Sequence, residues 1–255
     1  MQLPSIFNYI GILITLRCNF KCSYCLNWKM NKEEKDVDFW LNAIDRIETD
    51  LPITLSGGEP SIHKAFFPLL INLNKKFDVL TNLTFDVNYF IENVPVDRFQ
   101  NDKGYAPIRV SYHPGFSEKI NVIEKIRKLM DAGHRVGLYV VETDDNKPVI
   151  DSLKKIDWLD VQVKPYLEHE MKIEEEKKCR CSISELLVGP DGNVYKCHRD
   201  LYKDENPIGE LIRMNHIFYN KRDCNNADEC HPCDIKVKRD RFGNPGYKSV
   251  IKEIL

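Results

Sequence analysis

The chain has 255 residues, 42% apolar and 30% charged, which excludes a disordered or collagen-like polypeptide. That length suffices for one large domain, or for a medium domain with a small appendix. Its 37 basic and 39 acidic side chains leave a formal net charge of −2, so global electrostatics support neither nucleic-acid nor membrane-surface binding. No apolar run reaches the roughly 20 residues that span a bilayer as a helix.

In chain order, the first two thirds alternate between strand-like and helix-like segments. Residues 10–16 form a nearly continuous apolar run that leads to the first cysteine. Residues 38–48 set Trp40, Ile44 and Ile47 on one helical face, with Asp36 or Asp38 available as cap. A short strand over 51–55 ends at Ser56-Gly57-Gly58, and 65–75 reads as a helix if Pro68 lies in its first turn. Strands follow over 77–81 and 107–112, the latter stopped by His113-Pro114-Gly115. A helix is expected from Ser117 as cap to Gly133 as stop, with the core stripe Ile120, Ile123, Ile126, Leu129 and Met130. Residues 135–141 form an apolar strand, Pro148 opens a helix, and 158–163 give a last strand near Lys164-Pro165. About six strand–helix units argue for a parallel sheet in an α/β fold. A partial (β/α)6 TIM-like barrel is expected, with its functional loops at the C-terminal strand ends.

Near residue 170 the composition shifts, which places domains at 1–170 and 171–255. The run Glu174-Glu175-Glu176-Lys177-Lys178 reads as a solvated helix or linker, and 184–197 as a hairpin turning at Pro190-Asp191-Gly192. The basic stretch Lys236–Arg241 reads as a surface face or docking patch rather than an RNA site.

Nine cysteines are the unusual number. Nine is odd, so disulfides alone would leave a thiol over, and the chain is long for a stapled secreted domain. The run Ile10-Gly11-Ile12-Leu13-Ile14 has no Lys or Arg before it and no small-residue cleavage site after it, which argues against a signal peptide. The expectation is a cytoplasmic protein whose thiols are kept as metal ligands.

Cys18, Cys22 and Cys25 are spaced C-x3-C-x2-C directly after the first strand. Three thiolates on one short loop suit an iron–sulfur cluster or zinc, and three ligands rather than four leave a position open for chemistry. Downstream, Ser56-Gly57-Gly58-Glu59-Pro60 combines two glycines that permit close backbone approach, an acidic residue and a stiff exit. Together these segments resemble the signature loop and GGEP motif of radical S-adenosylmethionine (SAM) enzymes. The resemblance implies a [4Fe–4S] cluster on Cys18, Cys22 and Cys25, with SAM chelating the fourth iron. It further implies that Tyr24 packs near the adenine, and that Gly57, Gly58, Glu59 and Pro60 meet the cationic amino end of SAM. Asn82, Ser111 and Val141 then contact the cofactor from the ends of the third, fourth and fifth strands.

Six further cysteines lie beyond residue 170: Cys179, Cys181, Cys197, Cys224, Cys230 and Cys233. One cysteine on each side of a hairpin plus a distant C-x2-C gives a four-thiolate site. This resembles the SPASM/twitch extension of radical SAM enzymes, with auxiliary [4Fe–4S] clusters. Two cysteine-ligated clusters need eight thiolates, so one auxiliary cluster on Cys181, Cys197, Cys230 and Cys233 is the simplest assignment. Cys179 and Cys224 are then spare, and either could replace a chosen ligand. A structural zinc ribbon would use the same four thiolates. His198 and His231 flank these ligands and read as exposed.

The resemblance implies a radical SAM iron–sulfur oxidoreductase. It would cleave SAM to a 5′-deoxyadenosyl radical, abstract hydrogen from a substrate carbon, and pass an electron to the auxiliary cluster. Glu142 and Lys164, at predicted strand ends, are catalytic candidates on position alone. The expected partners are a small-molecule substrate, sugar or aminocyclitol-like, and an electron donor such as flavodoxin or ferredoxin. The first strand starts only a few residues into the chain, leaving no room for an N-terminal peptide-recognition domain, which favours the small molecule. A peptide- or protein-modifying maturase is the alternative, and a non-catalytic zinc module a distant third.

Overall fold

The computed structural model describes residues 1–3, 7, 9–25, 27, 32–99, 104–166, 179–181, 185–215 and 222–224. Six parallel strands form the framework: β1 (Tyr9–Thr15), β2 (Ile53–Gly57), β3 (Phe77–Thr81), β4 (Ile108–Tyr112), β5 (Val136–Glu142) and β6 (Asp160–Pro165). They lie side by side in chain order, and β6 is not paired with β1, so the sheet is an open, partial barrel. Helices α1 (Val37–Asp45), α2 (Phe66–Asn72), α3 (Val87–Asn93), α4 (Lys119–Asp131) and α5 (Lys147–Lys154) occupy the crossovers. That is the connection parallel strands require.

Strand alternation divides the sheet's two faces. Ile10, Ile12, Ile14, Ile53, Leu55, Val79, Ile108, Val110, Leu138 and Val140 are all buried in the main core, together with Trp40, Phe66, Phe90, Ile126 and Leu153 from the helices. The other face is mixed: Leu13 and Leu187 pack with Leu16, Tyr195 and Leu201 in a second buried cluster, and polar side chains gather elsewhere on it. Near the strand starts, Arg109 Nη2 lies 3.6 Å from Asp78 Oδ2 and 3.4 Å from both Tyr9 Oη and Thr54 Oγ1. The Tyr105 hydroxyl donates to Asp78 Oδ2 at 2.7 Å. This buried group fills the end of the barrel away from the loops that follow the strands.

Local signals set most elements. The Asp36 carboxylate caps α1 by accepting from Phe39 N at 2.8 Å. Pro68 falls within the first turn of α2, and Pro148 within that of α5. Three readings need correction. Ser117 does not cap α4; Glu118 is the cap residue, with no side-chain bond, and Ser117 N donates to His113 O. The helix buries Val122, Ile126 and Leu129, packs Ile123 and Met130 against the core, and leaves Ile120 68% exposed in the first turn. Between β3 and β4 the chain also forms α3, unanticipated, with the Asp86 carboxylate accepting from Asn88 N and Tyr89 N.

The expected hairpin is present as β8 (Glu185–Val188) and β9 (Asn193–Tyr195), after β7 (Cys179–Cys181). Strand β8 pairs in parallel with β1, from Tyr9 opposite Glu185 to Ile12 opposite Val188, so the hairpin extends the barrel sheet at its β1 edge. Strand β10 (Gly209–Glu210) adds to β9 beyond helix α6 (His198–Lys203). Gly192, at φ +77°, lies in the turn, where a β-carbon would meet the Phe39 ring at 2.3 Å. Strand β11 (Arg222–Cys224) pairs with β7, Cys224 opposite Cys179. Among the described residues, no helix is long and apolar enough to cross a membrane.

Candidate active site

Cys18, Cys22 and Cys25 follow β1 on one loop, and none is in a disulfide. All three line a single cavity of about 160 Å³ with Gly57, Gly58, Glu59, Asn82 and Ser111. These come from the C-terminal ends of four adjacent strands. Phe20, Leu80 and His113 complete much of its wall. Among the described residues, no three His, Cys, Asp or Glu side chains converge on one point. Burial pushes the Cys18 and Cys22 thiols up, so these sulfurs need a cationic centre to hold them as thiolates. An iron–sulfur cluster meets that need, and the residues present fit one on three cysteines.

The glycines act first on the protein itself. Gly57 has φ +134°, and its β-carbon would lie 1.9 Å from Thr15 O; that of Gly58 would lie 2.0 Å from Arg17 O. Without side chains the loop runs against the backbone entering Cys18: Gly58 N donates to Thr15 O at 2.9 Å and Glu59 N to Arg17 O at 2.8 Å. The Asn27 amide donates to Gly57 O. Pro60 opens the short 3-10 turn that follows.

Glu59 is 1% exposed. Its carboxylate accepts from Thr81 Oγ1 at 2.8 Å, Asn82 N at 2.6 Å, Ser61 Oγ at 2.6 Å and Ser61 N at 3.1 Å. Burial pushes its carboxyl up, against these four donors. Glu59 thus joins the β2 loop to the end of β3. Asn82 extends the connection, donating to Asn19 Oδ1 at 2.7 Å, while Asn19 Nδ2 donates to Thr84 Oγ1 at 2.8 Å. Asn19 lies between Cys18 and Cys22, so the glycine loop, the β3 end and the cysteine loop form one hydrogen-bonded unit.

Tyr24 Oη lies 2.6 Å from His113 Nδ1, which is also 3.3 Å from Cys22 Sγ. Burial pulls the His113 imidazole down to about 4, so the ring is neutral at pH 7. The Tyr24 phenol is pushed up by burial and keeps its proton. His113, Asn19 and Thr84 escaped the sequence reading. The one signal was the position of His113 directly after β4, two residues beyond Ser111.

Other expected site residues are not among those lining the cavity. Val141 and Lys164 are register partners across β5 and β6, and neither lines the cysteine cavity. The Val141 carbonyl accepts from Asn146 Nδ2 at 2.7 Å. Lys164 Nζ sits 5.5 Å from the Tyr139 ring centroid, and Glu142 is exposed at the end of β5. Cys197 is a half-buried thiol at the start of α6, where the His198 ring lies 5.8 Å from Tyr202. Cys181 belongs to β7. Cys230, Cys233, His231, the charge run at 174–178 and the basic stretch at 236–241 lie outside the described residues.

Open parallel barrel, three-thiol loop and glycine loop together define an iron–sulfur radical site. The Radical SAM superfamily model matches residues 12–169, and the chain belongs to that superfamily. Membership implies a [4Fe–4S] cluster and SAM. The chain is 29% identical over 149 residues to GTP 3′,8-cyclase of Brucella ovis, covering 52% of this chain and 42% of that protein. It is 26% identical over 155 residues to GTP 3′,8-cyclase of Helicobacter pylori, covering 53% and 47%. The chain thus spans less than half the length of these curated relatives. Among solved structures, native anSMEcpe with bound AdoMet and Kp18Cys peptide superposes with a TM-score of 0.59 at 15% identity, covering 81% of this chain and 78% of that one. Native anSMEcpe with bound AdoMet gives a TM-score of 0.57 at 15% identity, over 81% and 78%. These likenesses show a shared fold.

Proposed function

We propose that this protein is a radical SAM oxidoreductase acting on a small hydroxylated molecule, sugar or aminocyclitol-like, with an auxiliary [4Fe–4S] cluster as electron acceptor. The observation that carries the reading is the single cavity lined by three thiols, none of them in a disulfide, and by Gly57 and Gly58. When bound, the cluster and SAM supply reductive cleavage to methionine and a 5′-deoxyadenosyl radical.

The chain's residues do the rest. Cys18, Cys22 and Cys25 hold the cluster. Gly57, Gly58, Pro60, Ser111 and Val141 border the SAM site, and Tyr24 faces the adenine. Glu59 and Asn82 fix the relative positions of the glycine and cysteine loops. Phe20 and Leu80 exclude water from the cavity. The polar face of β4–β6, with Ser111 opposite Tyr139 and Tyr139 opposite Gln162, orients the substrate. Glu142 and Lys164, at the strand ends, take up the proton released on oxidation and pass it to solvent. Residues 1–170 form the radical unit and 171–255 the auxiliary unit, whose cluster uses Cys181, Cys197, Cys230 and Cys233. The electron donor is a flavodoxin or ferredoxin, and the compartment is the cytoplasm.

The small-molecule reading is supported by the relatives named for a cyclase of GTP. A peptide-modifying activity is the second reading, favoured by the peptide bound in the anSMEcpe structure. The test is anaerobic reconstitution, iron and sulfide analysis, and turnover with deuterated candidates of both classes. About eight irons per chain and deuterium in 5′-deoxyadenosine from a small molecule support the proposal. About four irons per chain would remove the auxiliary cluster, and transfer only from peptides would overturn the substrate class.

A further inference from the structure

The turn after β3 holds a leucine in a conformation that L-residues disfavour. Leu83 has φ +59° and is 1% exposed. Such geometry persists only where the surroundings over-determine it. Part of the hold is local: Leu83 N donates to Thr81 Oγ1 at 3.0 Å, and Asn82 Oδ1 accepts from Thr84 Oγ1 at 2.7 Å and Thr84 N at 3.2 Å. The other part comes from a different element. Lys125, half-buried on α4, reaches over with its ammonium and donates to Leu83 O at 2.9 Å and Phe85 O at 3.4 Å.

We propose that Lys125 is a positioning residue for the radical site, fixing the Leu83 turn and through it the aim of Asn82 and Thr84 at Asn19 in the cysteine loop. The inference rests on the function proposed above, because its readout is bound SAM. The geometry supports it step by step. The lysine clasps two carbonyls that flank the end of the turn. The turn directs Asn82 Nδ2 and Thr84 Oγ1 onto the two ends of one amide, that of Asn19. The Asn82 backbone N–H completes the Glu59 carboxylate at 2.6 Å. Releasing the clasp therefore loosens the cysteine loop and the glycine loop together, although Lys125 is not among the residues lining the cavity.

The test uses the reconstituted full chain as parent, Lys125→Met, Lys125→Gln, Lys125→Arg, Asn19→Ala and the double variant Lys125→Met/Asn19→Ala. Measured are the SAM dissociation constant, the electron paramagnetic resonance spectrum of the reduced cluster with SAM, and the melting temperature. Lys125→Met should weaken SAM about tenfold and alter the spectrum, with Lys125→Gln intermediate and Lys125→Arg close to parent. In the Asn19→Ala background, Lys125→Met should add less than about twofold, because both act through one unit. A lower melting temperature with unchanged SAM affinity and spectrum would overturn the proposal, as would full additivity with Asn19→Ala. A parent that binds no SAM would instead overturn the function on which the inference rests.

Discussion

Gly58→Ala is the sharpest probe of how the fold builds its site. The added β-carbon would sit 2.0 Å from Arg17 O, 2.5 Å from Arg17 C and 2.5 Å from Leu16 O, all backbone atoms that cannot rotate away. Ordinary van der Waals contact begins near 3.4 Å, so one of the two chain segments must retreat by about 1.4 Å. That retreat lengthens the bonds from Gly58 N to Thr15 O and Glu59 N to Arg17 O, now 2.9 and 2.8 Å. Overpacking of this kind costs about 1–3 kcal/mol, which the remaining core can absorb. Function should suffer more, because the displaced segment leads into Cys18, and a shift of roughly 1 Å in a reacting constellation costs on the order of 100-fold in rate. The assay is dithionite-driven formation of 5′-deoxyadenosine by the anaerobically reconstituted variant, with circular dichroism as a check on folding. A folded variant working within about threefold of the parent would refute the claim that the glycine loop and cysteine loop are mechanically joined.

Three further outcomes are expected. Cys22→Ala should abolish 5′-deoxyadenosine formation, whereas Cys230→Ala should retain part of it while product formation from the substrate falls; equal loss in both would merge the two proposed sites. His134 is 4% exposed between Phe90 and Phe99, with neither ring nitrogen hydrogen-bonded among the described residues, and burial holds its imidazole below the ordinary value. On acidification the unfolded chain therefore protonates first, so this contribution to stability is intact above about pH 6.5 and lost below it. His134→Phe should flatten that acid limb in urea unfolding at pH 7.5 and 5.5, and an unchanged limb would refute the assignment. Ile120→Ala should change stability by less than about 0.5 kcal/mol, whereas Ile126→Ala should cost about 2–5 kcal/mol, both read from urea midpoints.

Much of the framework was legible because apolar runs and breakers mark it directly. The strand over 77–81 matches β3 at both ends, and the hairpin turn at Pro190-Asp191-Gly192 was readable from turn chemistry alone. What local pattern cannot carry is pairing and where a helix starts. Nothing in Glu185–Val188 announces that it pairs with β1, because register across that sequence distance is a tertiary choice. The phase of α4 was legible, since Ile123, Ile126, Leu129 and Met130 all meet the core, but the stripe does not reach its first turn, where Ile120 is exposed, and Ser117, a good cap by type, gave way to Glu118. Helix α3 was missed although Asp86 caps it, its seven residues being too short for a clear period. At the site, Gly57, Gly58 and Glu59 were identified by motif, yet their observed contacts are with Thr15, Arg17, Thr81 and Asn82. Asn19, Thr84 and His113 carry no motif, and only the fold brings them together.

The central claim is that Cys18, Cys22 and Cys25 hold a site-differentiated [4Fe–4S] cluster whose free iron takes SAM. Its most direct measurement is Mössbauer spectroscopy of 57Fe-reconstituted protein in which only these three cysteines remain as candidate cluster ligands, recorded with and without SAM. The account predicts a four-iron cluster with one iron site shifting when SAM is added. Tetrahedral mononuclear metal at these sulfurs, or a cluster whose four irons ignore SAM, would contradict it.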